Sequence, residues 1–332
     1  MHFAYPPRKS SNPPPFRARS SRIPPFLRRS RIKVIAAGAL AFLGFIYLLS
    51  GVFSKSAKYV PHAPSGNPPV VIVTSLDEST YSKNYLEGIR DNRKQYAQLY
   101  GYEVMFTKAG DYDLNGAPAS WNKVVSLRHA ITKYPDATWF WFLDQDAFIM
   151  HTTPVESIIL KSDKIESLMI KDHPVVPPDS IIKTFPHLKG QDIDFILTQD
   201  REGLSSGSFF VRNGEWAKFF IDTWFDPLYR SYNFQKAEGH ALVSLLIPPR
   251  RTVAPMLTSR QEHIVQWHPT ILSRLAIVPQ KTFNSYNRYD KGEMFQEGDF
   301  VVRAAGCTKS GERACEQELE TYRTKWRAAF KV

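Results

Sequence analysis

The chain has 332 residues, 43% of them apolar, and a formal charge of +11. That length and apolar content suit one large folded domain, and two cysteines are too few for a disulfide framework. The charge is concentrated: residues 1–33 hold nine Lys or Arg and no acid, leaving +2 for the rest, which argues against a nucleic-acid-binding body.

Residues 1–33 are rich in Pro, Ser and Arg, cannot bury a core, and read as a disordered basic cytosolic tail. Val34 to Phe53 (VIAAGALAFLGFIYLLSGVF) is uncharged and apolar over 20 residues, the length of a bilayer-crossing helix and longer than the apolar region of a cleaved signal. The basic excess before this span, against Lys55 and Lys58 after it, predicts a single-pass type II anchor with a lumenal body. Residues 54–69 contain four prolines and read as an extended stem, so the folded body covers residues 70–332.

Within the body, Val70–Ser75 is a β-branched run that predicts a buried strand. Asn84–Tyr100 has helical spacing with Gly101 at its C-cap, and Tyr102–Thr107 reads as a second strand. Trp121–Lys133 has helical spacing again and leads into Trp139–Met150, W-F-W-F-L-D-Q-D-A-F-I-M. Five unbroken large apolar residues suit a strand buried on both faces, and the β-α-β-α-β order predicts a doubly wound α/β sheet. Asp144 and Asp146 leave the carboxyl end of that strand on one side, where open α/β sheets bind ligands. Two such carboxylates repel each other unless a cation lies between them and a phosphate, which points to Mn²⁺ or Mg²⁺.

Pro154–Leu160 reads as a helix start and Pro174–Gly190 as loop. Ile193–Gln199 predicts a strand, Ser205–Ser208 a small-residue turn entering another, and Glu215–Phe225 an amphipathic helix. Cys307 and Cys315 flank a short polar segment, which one bridge would close in an oxidising lumen; the alternative is two free thiols.

Five ordered blocks, WFWFLDQDAFIM, LSSGSFFVRN, AEGHAL, HIVQWHPTILSRLAIVPQKTFNSY and GDFVVRAAGC, resemble family 34 glycosyltransferases. The resemblance implies a retaining GT-A fold, Rossmann-like, in one nucleotide-sugar transferase domain. The aromatic strand and the D-Q-D form look most like the α-1,6-mannosyltransferase subunits of the fungal mannan polymerase II complex. It thus implies a Golgi enzyme moving mannose from GDP-mannose to a mannan or N-glycan outer chain, as part of a hetero-oligomeric complex. A UDP-galactose-dependent α-galactosyltransferase is the alternative, and a catalytically weak structural subunit is another.

Carried over by position, Asp144 would reach the donor and the metal, and Asp146 the Mn²⁺ that bridges the diphosphate. Thr74, Ser75, Lys123, Ser206, Gly207 and Ser208 would bind the donor, and Glu238 would lie by the reacting anomeric carbon. His268 closes a helix-ending turn near the site, as ligand or cap. Several family members carry His where this chain has Arg303, which cannot ligate a metal and pairs instead with anions.

Val243–Gln261 interrupts the family pattern. Joining Leu242 to Glu262 restores a helical register, whereas Pro248, Pro249 and Pro255 cannot continue a helix. Val-Ser at its start and Gln at its end can be encoded by splice-like sequences, so residues 243–261 read as a retained in-frame intron. Transcript sequencing checks this: messages without these codons are expected, and uniform inclusion of them contradicts it.

Overall fold

The computed structural model describes residues 25–53, 63–175, 182–231, 238–239, 241–242 and 269–330. Residues 1–24 of the basic tail, the 243–261 segment and His268 lie outside them, whereas residues 25–33, expected to be disordered, are helical. The chain divides into two units, residues 1–60 and 61–332. The first contains helix α1 (Pro25–Phe53), continuous over 29 residues. The membrane span expected over Val34–Phe53 gains no support from it: among the described residues, no helix is long and apolar enough to cross a membrane.

The second unit is built on a six-stranded sheet in the order β2-β1-β3-β6-β5-β7. Its strands are β1 (Val70–Leu76), β2 (Glu103–Lys108), β3 (Trp139–Leu143), β5 (Phe195–Asp200), β6 (Gly203–Arg212) and β7 (Leu275–Val278). Helix α2 (Lys83–Tyr100) starts at Ser82, whose hydroxyl accepts from the Tyr85 amide, and stops at Gly101, whose φ of 67° suits glycine. Helix α3 (Asn122–Lys133) delivers the chain to β3.

The order β1-α2-β2-α3-β3 is the expected one, and β2, β1 and β3 run parallel. The second half departs from a doubly wound sheet. Strand β6 lies antiparallel to both β3 and β5, so the sheet is mixed and parallel-rich. Ser205–Ser208 is not a turn before a strand, because β6 already runs through it. The turn falls earlier, between Asp200 and Gly203.

Alternation along the strands fills both faces. Val71, Val73, Phe140, Phe142, Phe209 and Val211 pack on α3 and the helix Glu215–Trp224, while Ile72, Trp139, Trp141, Ile196 and Phe210 pack on Tyr96, Ile159 and Ile165. A second sheet of three short strands, β4 (Ala147–Ile149), β9 (Val301–Arg303) and β8 (Ser285–Tyr286), branches from the end of β3. It packs on α2 and on the C-terminal helix Cys315–Phe330 through Phe148, Val302, Leu86, Leu319 and Trp326. Cys307 and Cys315 are joined by a disulfide between β9 and that helix.

Trp141 is the centre of this packing. It is fully buried, its ring centroid lies 5.1 Å from Phe210 and 5.6 Å from Phe300, and its indole N–H donates to Ser208 Oγ at 3.1 Å. Trp141→Ala is expected to lower unfolding stability by about 3–5 kcal/mol in a denaturant titration. A negligible shift would mean that β3 is not the centre of the core.

Candidate active site

Strand β3 ends at Leu143, and the turn Asp144-Gln145-Asp146 carries the chain into β4. This turn is held from beneath by groups of β1 and α2. Thr74 Oγ1 donates to the Leu143 carbonyl, the Asp77 amide to Gln145 Oε1, and Tyr85 Oη to the Gln145 carbonyl, each at 2.8 Å. Arg93 Nη2 donates to the Asp144 carbonyl at 2.9 Å and its Nη1 to the Ala147 carbonyl at 2.7 Å. Burial pulls the Arg93 guanidinium down to about 9, against the opposing pull of Tyr85, Asp146 and Asp144. From β6, the Gly207 carbonyl accepts from the Asp144 amide at 2.9 Å.

Fixed in this way, the two carboxylates meet two cations. Arg303, at the end of β9, donates from Nε to Asp146 Oδ1 at 3.0 Å and from Nη2 to Asp146 Oδ2 at 2.9 Å. The same Nη2 lies 3.6 Å from Asp144 Oδ2. Lys123 Nζ, on α3, lies 3.5 Å from Asp144 Oδ2 and 2.9 Å from Glu238 Oε1. Burial raises the Asp144 carboxyl above the usual range, with Asp146 adding to that and Lys123 and Arg303 opposing it. Burial acts the same way on Glu238, but Lys123 and a hydrogen bond from Ser120 together outweigh it and hold that carboxyl below its ordinary value. Lys123 itself is raised, because Asp144 and Glu238 overcome the cost of its burial.

The expected site residues fall into two groups. Ser75, Lys123 and Asp144 line a cavity of about 220 Å³ at the carboxyl ends of β1 and β3, together with Asp77, Ser120 and Gln145. Beside it, Ser206 Oγ donates to Glu238 Oε1 at 3.2 Å. Glu238 is buried, and its Oε2 has no hydrogen-bond partner among the described residues. By contrast, Thr74 spends its hydroxyl on β3, and Ser208 accepts from Trp141 within the core. Both are fully buried, so they shape the site and do not line the cavity. Gly207 lies against Arg303. Arg93 was missed in the sequence, although an arginine four residues after Ile89 and three before Tyr96, on the apolar face of α2, signals a buried partner.

These residues do not fit a divalent cation as they stand. Both oxygens of Asp146 already accept from Arg303, and a metal ion would bring a second cation against a buried guanidinium. Breaking a buried ion pair of this kind costs about 3–5 kcal/mol. Among the described residues, no three His, Cys, Asp or Glu side chains are grouped to hold a metal.

Residues 66–314 match the galactosyl transferase GMA12/MNN10 family over most of the chain. The chain belongs to that family. It is 30% identical to an uncharacterised α-1,2-galactosyltransferase of Schizosaccharomyces pombe over 325 residues, covering 90% of this chain and 92% of the relative. An α-1,2-galactosyltransferase of the same yeast is 30% identical, over 74% of this chain and 63% of its own length. The probable α-1,6-mannosyltransferase MNN10 of Saccharomyces cerevisiae is 29% identical, over 78% of this chain and 66% of its own length. Among solved structures, a glycosyltransferase involved in glycosylation of the major capsid of PBCV-1 superposes with a TM-score of 0.51 at 14% identity, covering 76% of this chain and all of that one. The fold of this GMA12/MNN10 member is therefore a mixed α/β glycosyltransferase fold, and its family transfers hexoses.

The depressed Glu238 carboxyl sets a pH dependence. A folded-state value below 4.5 contributes stability that is complete above that pH and is lost as pH falls through the folded value. Wild type is expected to melt at a higher temperature than Glu238→Gln at pH 7, with the gap closing on acidification below 4.5. A gap that stays constant at acid pH would show that Glu238 is not the charged partner of Lys123.

Proposed function

We propose that this chain is a retaining hexosyltransferase that moves mannose from GDP-mannose onto a mannan or N-glycan outer chain, in α-1,6 linkage. The observation that carries the reading is the Lys123–Glu238 pair beside the cavity where Asp144 and Ser75 converge. Lys123 faces the diphosphate, and a fixed ammonium there stabilises charge that develops as the nucleotide departs. Glu238 stays ionised at neutral pH, and its Oε2, without a hydrogen-bond partner among the described residues, is suited to the positive charge that grows on the anomeric carbon. Ser206, bonded to Glu238, orients that carboxylate. The choice of mannose rests on the D-Q-D turn and aromatic strand of the sequence.

A second reading, galactosyl transfer from UDP-galactose, is favoured by the relatives named α-1,2-galactosyltransferases. Full-length protein purified in detergent and given each donor in parallel with a mannan acceptor separates the two. Mannose incorporation supports the first reading and galactose incorporation the second, whereas consumption of neither would leave a structural subunit. Glu238→Gln is expected to lower kcat by about 10²–10³-fold with little change in donor KM, as for loss of one transition-state contact. Equal turnover by that variant would remove Glu238 from the chemistry.

The setting we propose is the Golgi membrane, with the body in the lumen within a hetero-oligomeric mannosyltransferase complex. The uncharged run Val34–Phe53 and the disulfide between Cys307 and Cys315, at home in an oxidising compartment, support it. Protease added to sealed microsomes is expected to spare the body, and digestion without detergent would place it on the cytosolic side.

A further inference from the structure

The acidic pair of the site is neutralised by a cation that belongs to the chain itself. Arg303 is buried, and its fork engages both oxygens of Asp146. Its remaining nitrogen, Nη1, donates to Ser205 Oγ and Asn284 Oδ1, both at 3.3 Å. The guanidinium carbon lies 5.8 Å from the centre of the Tyr286 ring. Nη2 also faces Asp144 Oδ2, so one planar group serves two carboxylates. The backbone makes room for it at Gly207. A Cβ there would lie 2.1 Å from Nη2 and 2.2 Å from Cζ, and Gly207 is not among the glycines with positive φ. That glycine is required for space, not for its backbone freedom.

We propose that Arg303 stands in the place of a divalent cation, so that donor binding and hexosyl transfer by this chain require no metal ion. The inference rests on the nucleotide-sugar reading above and adds how the diphosphate is accommodated. Arg303 cancels the charge of Asp146 and shares that of Asp144, which would otherwise repel the diphosphate. Lys123, on the cavity wall, then meets the phosphate directly. Arg303 is thus a positioning residue, and it remains charged because Asp146, Tyr286 and Asp144 overcome the cost of its burial. In the transfer itself, the bond from anomeric carbon to phosphate oxygen breaks and its electron pair leaves with the nucleoside diphosphate. The acceptor hydroxyl oxygen bonds to that carbon, and its proton passes to the departing phosphate oxygen.

The test uses full-length protein in detergent, stripped with EDTA, with GDP and UDP as binding probes and GDP-mannose and UDP-galactose as donors. Wild type is expected to bind one of the two nucleotides with affinities in EDTA and in saturating MnCl₂ that agree within about threefold, and to transfer sugar equally in both. Arg303→His offers an imidazole to a metal beside two freed carboxylates, and is expected to gain at least about a tenfold response of nucleotide affinity to Mn²⁺. Gly207→Ala, which displaces the guanidinium without altering any charge, is expected to respond in the same direction; melting curves show that each variant is folded. Wild-type binding or transfer that falls about tenfold or more in EDTA and returns with Mn²⁺ overturns the inference while leaving the hexosyltransferase reading intact. Nucleotide binding that ignores EDTA, without transfer of either sugar, supports the inference and defeats that reading. Absence of nucleotide binding under every condition overturns both.

Discussion

A half-buried carboxylate needs positive charge or donors close by, and the turn after β3 places two of them one residue apart. Much of the second unit's arrangement follows from meeting that demand. Arg303 arrives from β9, Lys123 from α3, and Arg93 from α2, so three elements converge on one three-residue turn. The small β4-β9-β8 sheet is the device that brings Arg303 there, because β4 continues from the turn and pairs Ala147 with Arg303. The site and the junction between the two sheets are therefore the same place.

The large sheet supplies the rigidity that this charge cluster requires. Both faces are covered, and the central strand is aromatic from Trp139 to Phe142 and buried to Leu143, so the Asp144 end of β3 is held by packing as well as by hydrogen bonds. Antiparallel β6 matters for the same reason. It runs its small residues past the turn, where Gly207 accepts from the Asp144 amide and leaves space for the guanidinium. A parallel strand arriving in that slot would present its other end to the site.

What the sequence made legible follows period and length. α2, α3 and β1 to β3 are long or strongly patterned, and the Asp144–Asp146 pair stood out against the aromatic run before it. Antiparallel β6 was not legible, since LSSGSFFVRN reads alike in either direction. Strands β4, β8 and β9 have two or three residues each, too few to show a period, so the second sheet went unseen. Thr74 and Ser208 carry hydroxyls near the site in sequence, but only the fold reveals that those hydroxyls serve backbone and core. Arg303 was legible as a departure from the resembled pattern; its bidentate hold on Asp146 was not, because 157 residues separate them.

That separation has a consequence for synthesis. The acidic turn leaves the ribosome with Lys123 and Arg93 already made, whereas Arg303 of β9 follows 157 residues after Asp146. Until it arrives, Asp146 lacks its partner and the β4 edge, Ala147–Ile149, is unpaired. Closing so distant a contact is slow, and an unpaired strand edge in a partly made domain is open to wrong partners. The late arrival of β9 therefore both completes the charge balance and seals the edge, so the nascent domain depends until then on whatever shields it.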